Sequence, residues 1–143
     1  MARSMSTEEW HKFVLAQPAR TAALAVVRDD GRPLVAPVWV DLDGDDVILT
    51  TGAGTVKGKA IQRDPRVCVM FDDEHPPFAF VTIEGVAHVS HDLDDLLKWA
   101  TRIAARYMGA DKAEGFGRRN AVPSELLVRI TPTRIVAQTN IAD

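Results

Sequence analysis

At 143 residues, with 46% hydrophobic and 26% charged side chains, the chain has the size and balance of one globular domain with a proper core. Its net charge of -3 argues against a general nucleic-acid binder, which carries a basic surface. The single cysteine, Cys68, excludes an intramolecular disulfide and a cysteine-based zinc site, and its apolar neighbours Val67 and Val69 mark it as a small buried hydrophobe.

Glu8 and Glu9 interrupt any early apolar run, and no segment approaches about 20 apolar residues, so a cytoplasmic protein without membrane contact is the expectation. Ser6-Thr7-Glu8-Glu9 has the form of a capping box, and Trp10, Phe13 and Val14 follow at helical spacing. A short amphipathic helix over residues 7–16 is predicted, ending near Pro18. Residues 21–27 are a continuous apolar run, Asp29-Asp30-Gly31 is a turn signal, and residues 33–41 form the second arm of a hairpin. Pro37 within that arm predicts an edge or a bulge. Asp43-Gly44-Asp45 is the next turn, and a third strand runs from Asp46 to Thr51.

Residues 47–67 then read as strand, small-residue turn, short basic helix, stop and strand. Gly52 and Gly54 let the backbone turn tightly or approach a ligand, and Lys57 and Lys59 follow at once. Amide groups, hydroxyls and lysines gathered so closely suit an anion such as a phosphate. The spacing is not that of a P-loop, because Lys57 does not follow a glycine. Pro65 stops the helix.

A fourth strand is predicted from Arg66 to Asp72 and a long fifth from Phe78 to Ser90, with Gly85 as a bend or bulge. Leu93, Leu96, Leu97, Ala100, Ile103, Ala104 and Tyr107 share one helical face, and Gly109 ends that helix. Residues 110–122 show no clear period and read as a loop with a short helical turn. Residues 126–137 form the last strand, kinked at Pro132. The result is a single domain spanning residues 1–143, mainly β with peripheral helices. About six antiparallel strands and no βαβ alternation favour a small β-barrel.

Four stretches together resemble the pyridoxamine 5'-phosphate oxidase-like split-barrel flavoproteins, the FMN-binding split-barrel type. They are residues 24–33, Pro37-Val38-Trp39-Val40 with residues 47–52, residues 57–67 (Lys57-Gly58-Lys59 through Arg63-Asp64-Pro65-Arg66-Val67), and Val81-Thr82-Ile83-Glu84-Gly85-Val86-Ala87. Within that family the chain is most similar to the oxidoreductases that use the deazaflavin coenzyme F420. The resemblance implies a six-stranded antiparallel split barrel and a homodimer with cofactor sites at the subunit interface. It places Thr50, Thr51 and Gly52 where strand and hydroxyls meet the ring and ribityl chain, and Thr55, Lys57 and Lys59 where the phosphate is held. Phe78 falls near an aromatic position that packs close to the ring from the partner chain. Ala60 and Gln62 depart from the asparagine and arginine common in relatives.

Each of these residues also has a structural reading. The lysines suit a solvated helix face, the threonines a strand, the glycines a turn, and Trp39 either core or pocket lining. Residues 115–119, Gly-Phe-Gly-Arg-Arg, suit either an anionic cofactor tail or a solvated loop. The four histidines are scattered without metal-ligand spacing, and no nucleophile dyad can be assembled. The expected function is hydride transfer from reduced F420 to an activated C=C or C=N of a small molecule, with no catalytic acid assigned. The alternatives are an FMN-dependent oxidase or reductase of pyridoxamine-phosphate type and a non-catalytic flavin carrier.

Overall fold

Alternation of inward and outward side chains sets the architecture. In β2 (Ala22–Val27), Ala22, Leu24 and Val26 are buried while the residues between them are half covered, the period-two pattern of a strand with one face on a core. The same alternation runs through β6 (Arg66–Asp73) and most of β7 (Ala79–Ser90). The computed structural model describes all residues, Met1–Asp143. The remaining strands are β1 (Arg3–Ser4), β3 (Pro33–Val38), β4 (Asp41–Asp43), β5 (Asp46–Gly52) and β8 (Glu125–Thr139). The helices are α1 (Thr7–Val14), α2 (Val56–Arg63), α3 (Leu93–Met108) and α4 (Ala110–Asn120).

All pairings are antiparallel, in the order β3-β2-β6-β7-β8-β5-β4, with β1 attached to β8. The two ends of that order, β3 and β4, are joined through Trp39 and Val40, so the sheet curls back on itself as a split barrel. It has eight strands where the sequence suggests six. One extra strand is the two-residue β1. The other arises because the predicted 33–41 arm leaves β2 after Val38 and joins β5 at Asp41 as β4. A bulge interrupts β7–β8 at Glu84/Gly85, where Pro132 and Arg134 are partners and Thr133 is the extra residue.

The barrel is filled by Leu24, Val47, Leu49, Val69, Phe71, Val81, Ile83, Val128 and Ile130, with Trp10 and Val14 of α1 packed against them. β5 is buried on both faces, since Ile48 packs outward with Leu127 against Leu96 and Trp99 of α3. The capping box of α1 forms as read, with Ser6 Oγ accepting from Glu9 N and the Glu9 carboxylate accepting from Ser6 N. Arg3 and Ser6 together hold the Glu9 carboxyl down at about 2.

The C-terminal end of α3 is tied to the β3–β4 crossover. The Arg106 guanidinium donates to the carbonyls of Val40 and Val14, and the Tyr107 hydroxyl accepts from Val40 N (3.2 Å) and donates to Arg20 O (2.6 Å). The stretch read as a loop with a helical turn is an 11-residue helix, α4, folded back on α3. Gly115 and Gly117 weaken its intrinsic propensity, but a Cβ at Gly117 would fall 2.0 Å from Thr101 Oγ1. Glycine there allows an approach that no larger residue could make, and the contact between helices outweighs the local cost. No helix is long and apolar enough to cross a membrane.

Candidate functional site

The ladder between β4 and β5 runs Asp43↔Asp46, Leu42↔Val47, Asp41↔Ile48 and stops. Continued in the same register, it would set Trp39 opposite Thr50. Instead the strands part, and a cavity of about 310 Å³ opens at the split. Pro37, Val38 and Trp39 form one wall, Thr50 and Lys57 another, and Ala100, Ile103 and Ala104 of α3 with Phe116 and Asn120 of α4 form the roof. Trp39 is held by stacking on Tyr107, with ring centroids 4.9 Å apart and planes 5° from parallel. It stays 42% exposed, an unusual state for a tryptophan whose backbone neighbour Val40 is fully buried.

Lys57 reaches this cavity because α2 is seated directly on the end of β5. Thr55 is the N-cap: its hydroxyl accepts from Gly58 N (3.0 Å) and donates to Gly52 O (2.8 Å). A Cβ at Gly58 would stand 2.0 Å from that same carbonyl oxygen, so only glycine permits the seating. Gln62 Nε2 closes the turn with a bond to Ala53 O (3.1 Å). The Gly-rich stretch therefore builds a close junction of strand and helix, and Lys57 emerges from it without an ion-pair partner.

The other sequence-derived positions divide. Trp39, Thr50 and Lys57 come together in the cavity. Gly52 and Thr55 lie behind it as the seat of α2, with the Thr55 hydroxyl engaged in the cap. Thr51 is buried on the opposite face of β5 from Thr50, and its Oγ1 has no hydrogen-bond partner. Lys59 is two residues from Lys57, about 200° round the helix, and lines a separate groove with Arg28 and Arg63. Phe78, with φ 65°, lies at the far end of the barrel, beside the Phe80↔Gln138 pair, whereas Gly52 pairs with Glu125. Residues 125 and 138 of one strand are on the order of 40 Å apart along the chain, so Phe78 does not join the cavity.

Sequence reasoning missed the roof. Phe116 falls in the stretch read as loop or cofactor-tail contact, Asn120 carries no motif, and Ala100, Ile103 and Ala104 read as ordinary helix core. It also missed Glu125, whose Oε1 lies 3.6 Å from the place a Cβ would take at Gly52. Burial pushes the Glu125 carboxyl up, against the opposing pull of nearby Lys57. No group of three or more His, Cys, Asp or Glu side chains gathers as metal ligands. His11 and His75 each contact one carboxylate, Asp45 (2.7 Å) and Asp73 (2.8 Å).

The cavity thus offers an indole face, aliphatic walls, and a cation, a hydroxyl and an amide at its edge. That donor set fits a planar ring carrying an anionic tail. Its lining contains no nucleophile–base pair.

The solved structure of a conserved hypothetical protein from Mycobacterium tuberculosis is similar to this chain at 27% identity, with a TM-score of 0.84, covering 95% of this chain and 86% of the other. An F420 reductase matches at 23% identity and a TM-score of 0.67, over 87% of this chain and 94% of the other. An FAD-binding protein from Mesorhizobium loti matches at 19% and 0.68, over 96% of each. No curated protein matches. The family described as Pyridoxamine 5'-phosphate oxidase matches residues 6–139, nearly the whole chain, and the protein belongs to that family.

Proposed function

We propose that the cavity at the barrel split binds coenzyme F420 and that the protein is a reductase of electron-poor small molecules. The observation that carries this reading is the junction of Trp39, Thr50 and Lys57 at an unpaired strand edge, roofed by apolar side chains and lacking any acid–base dyad. Membership of a flavin-type family and the likeness to an F420 reductase support it. When bound, the reduced deazaflavin supplies a hydride, with which an activated C=C or C=N is reduced while solvent supplies the proton.

The chain's own residues bind and shield. Lys57 pairs with the side-chain phosphate as a point charge. Thr50 offers its hydroxyl to the polar chain between phosphate and ring. Trp39, Ile103 and Phe116 cover the ring and exclude water. Thr51 contributes through its backbone, since its hydroxyl faces the barrel.

The reading includes a homodimer. The outward rows Pro37–Ala23–Met70 and Val35–Ala25–Cys68 form an apolar face continuous with the cavity wall at Pro37. Val35 is 63% exposed and Met70 41%, and a second copy would cover them. It would also let a partner's aromatic residue reach the cavity, as Phe78 cannot within one chain.

Titration with F420 and with FMN, followed by hydride transfer to a test enone, decides the cofactor. Tight FMN binding without deazaflavin affinity would transfer the reading to an FMN-dependent oxidase or reductase. Binding without turnover over varied acceptors would make the protein a carrier. A solution species of 15.7 kDa would reject the dimer.

A further inference from the structure

A second concave site lies on the other side of α2. Arg28, Lys59 and Arg63 surround a groove of about 190 Å³, and the only carboxylate lining it is Asp29. None of these four side chains forms an ion pair. The neighbouring carboxylates Asp30 and Asp64 pair directly with Arg32 and Arg66, both at 2.7 Å, and act on Arg28 and Arg63 only as more distant charges. Three cations against one anion therefore face a common concavity in a protein whose net charge is -3.

The groove is also partly rigid. Arg63 donates from one terminal nitrogen to Val27 O at 2.9 Å, which fixes its guanidinium across the end of β2 and leaves its other donors free. Arg28 begins the β2–β3 turn, where its backbone N–H bonds to Arg32 O and its carbonyl accepts from Gly31 N. Cations that line one groove without an ion-pair partner repel, and a dianion among them offsets that repulsion while accepting charge-assisted hydrogen bonds.

We propose that this groove is a binding site for a compact dianionic group, a phosphoryl group or paired carboxylates, separate from the cavity at the barrel split. Lys57 and Lys59 then serve two different anions on opposite faces of one helix. Arg63 and Arg28 supply planar forks, and Lys59 a movable point charge.

The probes are inorganic pyrophosphate and citrate, titrated into the full chain with backbone amide shifts followed by NMR. The amides around residues 28–29 and 59–63 should shift with either probe. Lys59→Gln and Arg63→Gln should each weaken that binding about tenfold or more, while Lys57→Ala leaves it unchanged. Lys59 is exposed and its side chain makes no hydrogen bond, so its variant folds even if the Arg63 variant, which loses the bond to Val27, does not. Tighter pyrophosphate binding assigns a phosphoryl group, and tighter citrate binding assigns carboxylates. The absence of shifts at these amides at millimolar probe overturns the site. So does binding that survives Lys59→Gln or is abolished by Lys57→Ala. These outcomes are independent of whether F420 binds at the split.

Discussion

From β6 through β7 to β8 the backbone ladder runs from Arg66↔Val86 to Asp73↔Ala79 and from Phe80↔Gln138 to Ser90↔Leu127, broken only by the bulge at Gly85. Between β4 and β5 it stops after three pairs. The first side satisfies its backbone groups internally and packs a continuous core behind them. The second leaves a strand edge open and covers it with helices. An open edge costs hydrogen bonds and invites non-native pairing, so its persistence here is coupled to the roof of α3 and α4 and to the clamp that Arg106 and Tyr107 place on Val40. On the proposed reading, stability resides on the closed side and recognition at the split.

The largest effect that separates the two sides is Phe71→Ala. Phe71 is fully buried in the barrel on β6, and its truncation should cost about 3–5 kcal/mol, seen as a marked loss in denaturant midpoint. Trp39→Ala at the split, a residue 42% exposed, should cost about 1 kcal/mol of stability and act mainly on ligand affinity. Equal stability losses for the two would break the division. Lys57→Ala comes next. It should weaken binding of a phosphate-bearing cofactor by about 1.5–3 kcal/mol with the thermal midpoint unchanged. Unchanged affinity in titration would remove Lys57 from the site.

The same contrast governs what could be read from residues alone. The closed side announces itself through alternation and turns, because one buried face demands a period of two. The capping box at Ser6–Glu9 and the strand alternation of β2 are local patterns, and both formed as read. The junction of β5 and α2 was also legible, as glycines, a threonine cap and a lysine within a few residues. The roof was not, because α4 is stable through one long-range approach, Gly117 on Thr101, that no local pattern encodes. The separation of Lys57 from Lys59, and of Thr50 from Thr51, was latent in the periods of helix and strand. A resemblance that groups all four at one cofactor passes over it. Glu125 had no signal at all, since its place beside Gly52 depends on the β5–β8 register.

Glu125 gives the next test. Its folded carboxyl is pushed up by burial, so the folded state holds a proton that the unfolded state releases at lower pH. The contribution of Glu125 to stability therefore falls as pH rises from the ordinary glutamate range through the folded value, and is level on either side. Glu125→Gln should remove that decline, so urea midpoints of the two proteins agree at low pH and separate, with the variant higher, as pH rises. Anion binding at Lys57 should tighten in the variant, because a like charge beside the bound anion is gone. Parallel pH profiles would reject Glu125 as the source.

The smallest expected effect is at Thr51, on the strand that belongs to both sides. Its hydroxyl is buried in the barrel without a partner, next to a residue, Thr50, that lines the cavity. A buried hydroxyl with no hydrogen bond carries its desolvation cost uncompensated. Thr51→Val keeps the β-branched shape and removes the polar atom, so it should leave stability unchanged or raise it by up to about 1 kcal/mol. Thr50→Val should instead leave stability level and weaken the ligand. If Thr51→Val proves destabilising by more than that margin, the hydroxyl has a partner in solution, such as a water reaching the barrel end from the split. The closed and open sides would then share solvent through β5, and the division between them would no longer fall between Thr50 and Thr51.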